Sequence, residues 1–348
     1  MKMGEPVLMA MSGGVDSSVA AALLQEQGYE VIGVTMKLWG GASDSGCCSV
    51  SDVEDARRVA DRLGIQHYVF NFGEEFTEHV VDPYIEAHST GQTPNPCVEC
   101  NRHIKFDKLY QRADELGIEK VSTGHHARIA TTGDKNWISR GEDDKKDQSY
   151  VLYMLDQAQL KRLLLPIGGM TKDEVRAHAE RLDMRTANKP DSQDVCFIHS
   201  VGGRKKFLGD RLELKSATVV NSAGDRLGDV ESIELVTLGQ RRGLNVGGNN
   251  TPKYVTEIDH HTQTVTLGSK ADLLVDTQGL VDVVWADAAT EGEMTFQCAA
   301  HGQTRQGALH VSGDTCEITW DSAQQRVASG QSVVFYNGAN VIGGALAA

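Results

Sequence analysis

The residues best suited to chemistry lie at positions 12–18, which read SGGVDSS. Two adjacent glycines let the backbone turn its N–H groups toward an anion, and the serine hydroxyls can donate further hydrogen bonds. Val15, Val19, Ala22 and Leu23 recur at helical spacing, which predicts a helix behind the turn whose N-terminus adds positive dipole. The stretch therefore predicts a phosphate-binding turn. The alternative is a strand–helix turn that binds no ligand.

This turn differs from the common phosphate-binding loop, in which G-x-x-x-x-G-K-[ST] brings a lysine to the terminal phosphates. No lysine follows the glycines here, and Asp16 lies within the turn. The stretch instead resembles the PP-loop of ATP pyrophosphatases. That resemblance implies an enzyme that cleaves ATP between the α- and β-phosphates and adenylates its substrate.

Three cysteines are the second chemical feature: Cys97 and Cys100 in a CxxC pair, and Cys196 in the stretch DSQDVCFI. A lone CxxC fits a redox pair, zinc ligands or iron–sulfur ligands. Prolines at 94 and 96 predict a rigid, non-helical loop, which argues against a thioredoxin-type pair that opens a helix. Structural zinc needs four ligands, and His103 is a poor fourth.

Composition limits the remaining classes. The chain has 348 residues and 40% hydrophobic residues, enough for two or three domains with ordinary cores. It contains no apolar run of about 18 residues, so we expect no membrane span, and without a secretory pattern we expect a cytoplasmic protein. The net charge of −14 argues against nonspecific nucleic-acid binding, so any contact must use local basic clusters.

Alternating elements must position the turn and the cysteines. Apolar runs predict strands at 7–11, 30–36, 67–72 and 120–124, with helices between them. This order predicts an α/β fold, a doubly wound parallel sheet with helices on both faces. Ligands of such sheets bind outside the carboxyl ends of the strands, where the turn lies.

The pattern changes after about residue 209, where short Val/Thr/Ile-rich segments alternate with glycine turns. We expect a catalytic domain at 1–208, a small β-rich central domain at 209–272, and a C-terminal β domain at 273–348.

Seven motifs in chain order resemble those of the tRNA-specific 2-thiouridylases: SGGVDSS, TPNPCVECN, STGHHA, KDQSYVLY, DSQDVCFI, TLGQRRGL and SGQSVVFYNG. They cover nearly the whole chain. The resemblance implies a PP-loop ATPase domain, a small central domain and a C-terminal β-barrel. It also implies the reaction, an ATP-dependent replacement of the C2 oxygen of the tRNA wobble uridine by sulfur.

The resemblance also implies a set of site residues, with Mg²⁺ helping to hold the pyrophosphate. The expected ATP-binding residues are Ala10, Met11, Ser12, Gly13, Gly14, Val15, Asp16, Ser17, Met36 and Gly124. The expected tRNA-binding residues are Asn95, Pro96, Cys97, His125, Lys146, Asp147, Gln148 and Gln331. For His125, a hydrogen-bonded histidine at a strand end is the alternative.

By the same resemblance, Cys196 carries a persulfide and Cys100 is the partner thiol, which releases sulfide or forms a Cys100–Cys196 disulfide. Many relatives carry aspartate where this chain has Cys97, so an acid–base role does not transfer. Three thiols, Cys97, Cys100 and Cys196, could instead hold a [4Fe–4S] cluster that binds sulfide. Both routes stay open.

The implied partners are tRNAs of the Lys, Glu and Gln type and a sulfur donor such as a cysteine desulfurase or a sulfur-relay protein. Two other functions compete. Another PP-loop adenylating enzyme, an amidotransferase-type ligase or a lysidine synthase, would need no cysteines near the nucleotide. A noncatalytic RNA-binding protein stabilised by zinc would form no AMP.

Overall fold

The computed structural model describes residues 4–38, 50–191, 195–244, 246, 252–313 and 315–348. Residues 192–194 of the DSQDVCFI motif lie outside this set. The helices are α1 Val15–Glu26, α2 Val50–Leu63, α3 Gly73–Phe76, α4 Asp82–Ser89, α5 Pro96–Glu99, α6 Leu109–Glu115, α7 Gln157–Leu160, α8 Lys172–Arg181, α9 Cys196–Ser200 and α10 Arg204–Gly209. The strands are β1 Pro6–Ala10, β2 Glu30–Lys37, β3 Gln66–Asn71, β4 Lys120–Ser122, β5 Ala127–Thr132, β6 Lys135–Arg140, β7 Leu163–Leu164, β8 Ala217–Asn221, β9 Arg226–Val230, β10 Tyr254–Asp259, β11 Thr264–Gly268, β12 Leu274–Trp285, β13 Gly292–Gln297, β14 Arg305–Ser312, β15 Thr315–Gln325, β16 Ser332–Asn337 and β17 Asn340–Ala347.

The first sheet is parallel and has the strand order β3-β2-β1-β4-β7. Side chains alternate along β1. Val7 and Met9 pack with residues of α1, α2 and α8, whereas Leu8 packs on the opposite face with residues of α6. Because β1 is central and apolar on both faces, it is buried between two layers of helices. The predicted α/β class and parallel sheet are confirmed.

The CxxC pair lies in a helix, not in the predicted loop. Helix α5 continues through a π-helical segment, Cys100–Lys108, into α6. Pro96 occupies the first turn, where a missing N–H costs nothing. Asn95 caps the helix, its side-chain oxygen accepting from the Cys97 N–H at 3.1 Å. The prediction that the prolines exclude a helix is therefore wrong, and so is the argument it supplied against a thioredoxin-like CxxC.

Two further sheets follow. The central one has the order β10-β11-β8-β9. In the last, the six strands β12, β15, β14, β13, β16 and β17 close into a barrel because β12 also pairs with β17. The sequence did not predict that the β5–β6 hairpin of the first domain extends this barrel sheet, with Ser139 opposite Asn340. The order of domains is as expected; the boundaries after residues 208 and 272 stay predictions.

Among the described residues, no helix has both the length and the apolar character required to cross a membrane.

Candidate nucleotide and sulfur site

The phosphate-binding turn has the backbone shape that its glycines predict. Gly13 has φ +73°, and a Cβ there would lie 2.2 Å from the Asp52 carbonyl oxygen, so only glycine fits. Inside the turn, the Ser12 N–H donates to the Ser17 hydroxyl at 3.1 Å, and the Ser18 hydroxyl donates to the Gly14 carbonyl at 2.8 Å. These contacts fix the turn at the N-terminus of α1, which suits it to an anion.

Asp16 is held by two cationic or hydrogen-bonding side chains from distant segments. Lys172 Nζ lies 2.7 and 2.8 Å from the two carboxylate oxygens, and His126 Nε2 lies 3.1 Å from one of them. Burial raises the pKa of Asp16, but the bonds with His126 and Lys172 outweigh it and leave that pKa below its ordinary value. The turn therefore has a lysine beside it, supplied by α8 instead of by the motif.

A second carboxylate, Asp191, gathers three cations. Its oxygens lie 2.6 Å from Lys146 Nζ, 2.8 Å from Lys172 Nζ and 2.9 Å from an Arg176 guanidinium nitrogen. Burial raises the pKa of Asp191, but Lys146 and Lys172 together lower it to about 2. The carboxylate is therefore ionised at every physiological pH and bridges α8 to the loop that carries Lys146.

Lys189 forms a third link to the turn. Its Nζ donates to the Gly13 carbonyl at 3.0 Å and contacts Asp52 and Asp55 at 2.7 and 2.9 Å. Burial lowers the pKa of Lys189, but the two aspartates outweigh burial and leave that pKa above its ordinary value. The ammonium form is therefore retained. The sequence analysis missed Lys172 and Lys189, because they lie more than a hundred residues from the turn and their spacing carries no signal.

Gly124 and Met36 were expected at the nucleotide, and the structure places Gly124 against the turn and Met36 in an apolar cluster. A Cβ on Gly124 would lie 2.7 Å from the Ser17 backbone nitrogen, so this glycine lets the end of β4 approach α1. Met36, near the carboxyl end of β2, is buried in one apolar cluster with Cys100 and Phe197.

That cluster brings the cysteine segments together. Cys100 is 9% exposed, and Phe197 directly follows Cys196 at the start of α9. Two segments almost a hundred residues apart thus pack in one core beside β2. Burial raises the pKa of Cys100 to about 11, so it is a protonated thiol at neutral pH. Cys97, in the first turn of α5, is exposed.

Cys196 is disulfide-bonded, and its partner is none of Cys97, Cys100, Cys298 and Cys316. The Cys100–Cys196 disulfide expected after turnover is thus not formed in this structure. Among the residues the structure describes, no three His, Cys, Asp or Glu side chains are grouped to hold a metal ion. A [4Fe–4S] cluster needs reduced cysteine ligands, whereas Cys196 is disulfide-bonded. The arrangement described here therefore does not fit the cluster.

Comparison with known proteins identifies the family. Three family models match in succession: the tRNA methyl transferase HUP domain at residues 5–200, the tRNA methyl transferase PRC-barrel domain at 205–269 and the aminomethyltransferase beta-barrel domain at 277–347. The chain is 43% identical to a Carboxydothermus hydrogenoformans protein named tRNA-specific 2-thiouridylase MnmA. The match covers 97% of this chain and 96% of the relative. The match in Clostridioides difficile is 43%, over 99% of both chains. The chain belongs to the tRNA-specific 2-thiouridylase family.

A solved structure of a 4-thiouridine synthetase–RNA complex with bound ATP also matches this thiouridylase family member. It covers 57% of this chain and 46% of that chain at 18% identity, with a TM-score of 0.38. That likeness is too weak to bear on function.

The thiouridylase motif around α5 is held by the barrel. The Gln331 side-chain amide donates to the Thr93 carbonyl, and the Thr93 N–H donates to the Ser329 carbonyl at 2.8 Å. Pro96 is buried, and Asn95 caps α5. Gln331, predicted to contact tRNA, therefore has a structural contact that fixes the loop before Cys97; its contact with tRNA stays a prediction.

The other predicted tRNA contacts of this thiouridylase are largely engaged within the protein. Asp147 accepts from the N–H groups of Gly141 and Ser149, both at 3.0 Å, and Gln148 accepts from the His126 N–H at 2.9 Å. His125 is 7% exposed, and its Nδ1 lies 2.8 Å from the Thr123 hydroxyl. This is the geometry of the strand-end histidine named as the alternative. A tRNA contact at these positions stays a prediction.

Proposed function

We propose that this chain replaces the C2 oxygen of the tRNA wobble uridine by sulfur, in a reaction driven by ATP. The observation that carries the proposal is the packing of Cys100 and the α9 segment in one cluster with Met36. Met36 lies near the carboxyl end of β2, and the phosphate turn follows the carboxyl end of the neighbouring parallel strand β1. A site that activates an oxygen with a nucleotide and replaces it with sulfur needs both parts together.

The first step is adenylation. A uracil C2 carbonyl is a poor electrophile, and its oxygen is a poor leaving group. That oxygen attacks the α-phosphorus of ATP, the bond to the β-phosphate oxygen breaks, and pyrophosphate leaves. The N–H groups of the Gly13–Gly14 turn and the N-terminus of α1 bind the phosphates. Mg²⁺ enters bound to ATP, as part of the substrate. The Asp16 carboxylate lies at the start of α1, directly after the glycine turn.

The second step is sulfur transfer. The terminal sulfur of a Cys196 persulfide attacks C2, and AMP leaves with the former uridine oxygen. The Cys100 thiolate then attacks Cys196 Sγ, which breaks the sulfur–sulfur bond and leaves the other sulfur on the base as a thiocarbonyl. The product is a Cys100–Cys196 disulfide. In the second route, the Cys100 thiolate attacks Cys196 Sγ first, which forms the Cys100–Cys196 disulfide and expels the outer sulfur as hydrosulfide. The hydrosulfide then attacks C2, and AMP leaves.

The cysteines described here must change state before this chemistry. Cys196 is disulfide-bonded, so a two-electron thiol reductant must free it before a sulfur donor, a cysteine desulfurase or a sulfur-relay protein, loads the persulfide. Cys100, with a pKa of about 11, must lose its proton as the substrate opens or rearranges the cluster. We propose no step through an iron–sulfur cluster.

The tRNA substrates we propose carry a wobble uridine, those of the Lys, Glu and Gln type, and the target base leaves its stack to reach the turn. We propose that the reaction takes place in the cytoplasm. Two of the matching family models are described as methyl transferases. A turn shaped for phosphate, together with the cysteines of α5 and α9, favours thiolation, because methyl transfer needs neither feature. The same thiols disfavour an amidotransferase-type ligase or a lysidine synthase.

The test is mass spectrometry of nucleosides from unmodified tRNA incubated with ATP, a persulfide donor and the reduced protein. We expect 2-thiouridine and AMP from the natural chain and from Cys97→Ser. Cys100→Ser and Cys196→Ser should give no thiolated base, and Cys298→Ser, in the barrel core, is the matched control. Iron content after anaerobic purification decides the other route. Loss of both iron and activity in Cys97→Ser would establish the cluster and overturn the persulfide mechanism.

A further inference from the structure

The segment 187–191, here called the strap, begins in the helical turn Arg185–Asn188 and contacts the phosphate turn through Lys189. We propose that the strap positions Cys196 relative to the bound nucleotide, with Lys189 and Asp191 as its two anchors. The proposal deepens the thiolation mechanism and rests on it for its substrate.

The first anchor is Lys189, which contacts the phosphate turn directly. The Lys189 ammonium donates to the Gly13 carbonyl, and its two carboxylate partners, Asp52 and Asp55, lie on α2. The Asp52 carbonyl also lies against Gly13, at the position where a side chain would project. Lys189 therefore joins three pieces, namely the strap, the turn and α2, at one point.

The second anchor is Asp191. Its carboxylate pairs with Lys172, and the same ammonium group also pairs with Asp16. One lysine therefore bridges the strap to the first residues of α1. Arg176 fastens the same stretch from α8, because it donates to the Ala187 carbonyl at 2.6 Å and to the Lys189 carbonyl at 3.2 Å. The strap thus has both its backbone and its side chains fixed to the walls of the phosphate site.

Cys196 lies five residues beyond Asp191 and begins α9. On the far side, Phe197 packs edge-on against Phe76 at 5.4 Å and against Phe207 at 5.1 Å. The aromatic contacts of Phe197 fix the start of α9 in the core, and the strap anchors fix the chain five residues before Cys196. A misplacement of about 1 Å can cost about a hundredfold in rate when two reacting groups must meet.

The strap anchors belong to one ionic network. Its cations Lys146, Lys172, Arg176 and Lys189 contact the carboxylates of Asp16, Asp52, Asp55 and Asp191, and Arg58 also contacts Asp55. Removing one anchor should lower the amount of thiolated base formed per adenylated tRNA, because the sulfur then arrives poorly aligned.

The experiment compares Lys189→Met and Asp191→Asn with the natural chain in two assays. The first is the ratio of 2-thiouridine to pyrophosphate formed with tRNA and ATP, which we expect to fall at least about tenfold in both variants. The second is the hydrogen–deuterium exchange rate of the backbone amides of α9 in the reduced protein, which should rise about tenfold as this segment loosens. Lys189→Arg should restore most of both values, because it keeps the charge.

The matched control is Arg62→Met. Arg62 also reaches from α2 to the α8 region, donating to the Leu182 carbonyl at 2.7 Å and pairing with Asp183, but it touches no part of the strap. It should leave both assays unchanged. A 2-thiouridine to pyrophosphate ratio and an exchange rate equal to those of the natural chain, in both Asp191→Asn and Lys189→Met, would overturn the proposal. If Lys189→Met does not fold, Asp191→Asn decides. A natural chain that makes no pyrophosphate or 2-thiouridine would refute the proposed function, whereas the exchange assay needs neither product.

Discussion

Replacing Lys172 with methionine tests whether the fold supplies the cation that the phosphate turn lacks. The methionine keeps most of the apolar stem and removes the charge. Lys172 is only 7% exposed, and it contacts both Asp16 and Asp191. Its loss leaves two carboxylates close together with one fewer counter-charge between them.

The expected loss in the free energy of unfolding depends on which partners the Asp16 and Asp191 carboxylates retain. Breaking a buried ion pair by removing one partner typically costs about 3–5 kcal/mol. Asp191 retains Lys146 and Arg176, and Asp16 retains His126 while its side chain is 31% exposed. Water and these partners screen the remaining charge, so we expect a loss of about 2–3 kcal/mol in the free energy of unfolding.

The assay is urea unfolding at neutral pH, in a double-mutant cycle with Asp16→Asn. We expect a coupling energy of about 1–2 kcal/mol between Lys172 and Asp16, because the double variant leaves no unpaired carboxylate at that position. Asp16 and Asp191 have lowered pKa values in the fold. The stability they contribute is present above their unfolded pKa and is lost as pH falls through the folded value, about 2 for Asp191.

Without Lys172 both pKa values should move back toward normal. The stability gap between the natural chain and Lys172→Met should therefore narrow as pH falls from about 5 to about 3. A cost below about 0.5 kcal/mol, or a coupling energy near zero, would refute the reasoning that the lysine is an integral part of the turn.

Three further predictions follow from buried groups. Burial lowers the pKa of His125 to about 3, so the folded chain keeps this imidazole neutral at pH 5. The unfolded chain gains a proton there near pH 6.5, so the free energy of unfolding should fall by about 2 kcal/mol between neutral pH and about pH 5. His125→Gln should abolish this contribution in urea titrations. Gly124→Ala, whose Cβ would lie 2.7 Å from the Ser17 nitrogen, should cost about 1–3 kcal/mol and reduce the rise in Tm caused by ATP; an unchanged rise would contradict the tight packing. The alkylation rate of Cys100, measured in a Cys97→Ser background, should rise about tenfold per pH unit up to about pH 10; a plateau near pH 8 would contradict its raised pKa.

The sequence predicted the parts of the fold that depend on local pattern. The apolar run at 7–11 and the glycine pair fixed the strand–turn–helix unit, because each depends on a few adjacent residues. Strand–helix alternation similarly predicted the parallel sheet. Gly28 has φ +90° just past the last turn of α1, where a residue with a side chain would be strained.

The parts that were missed depend on contacts between distant segments. Lys172 and Lys189 reach the turn only through the tertiary fold, and no local pattern distinguishes them from surface lysines. The pairing of the β5–β6 hairpin with β17 was not predicted, since a strand edge does not encode its partner locally. The error at Pro96 has another cause: proline excludes a helix interior, but not a first turn.

Pyrophosphate release by Cys196→Ser tests most directly that the phosphate turn and the cysteines form one site. The variant is mixed with ATP and unmodified tRNA, and both pyrophosphate and modified nucleosides are followed over a single turnover. The account predicts a burst of about one pyrophosphate per protein, dependent on tRNA, with adenylated tRNA accumulating and no 2-thiouridine formed. Thiolation at the natural rate by Cys196→Ser, or no tRNA-dependent pyrophosphate from the natural chain, would contradict it.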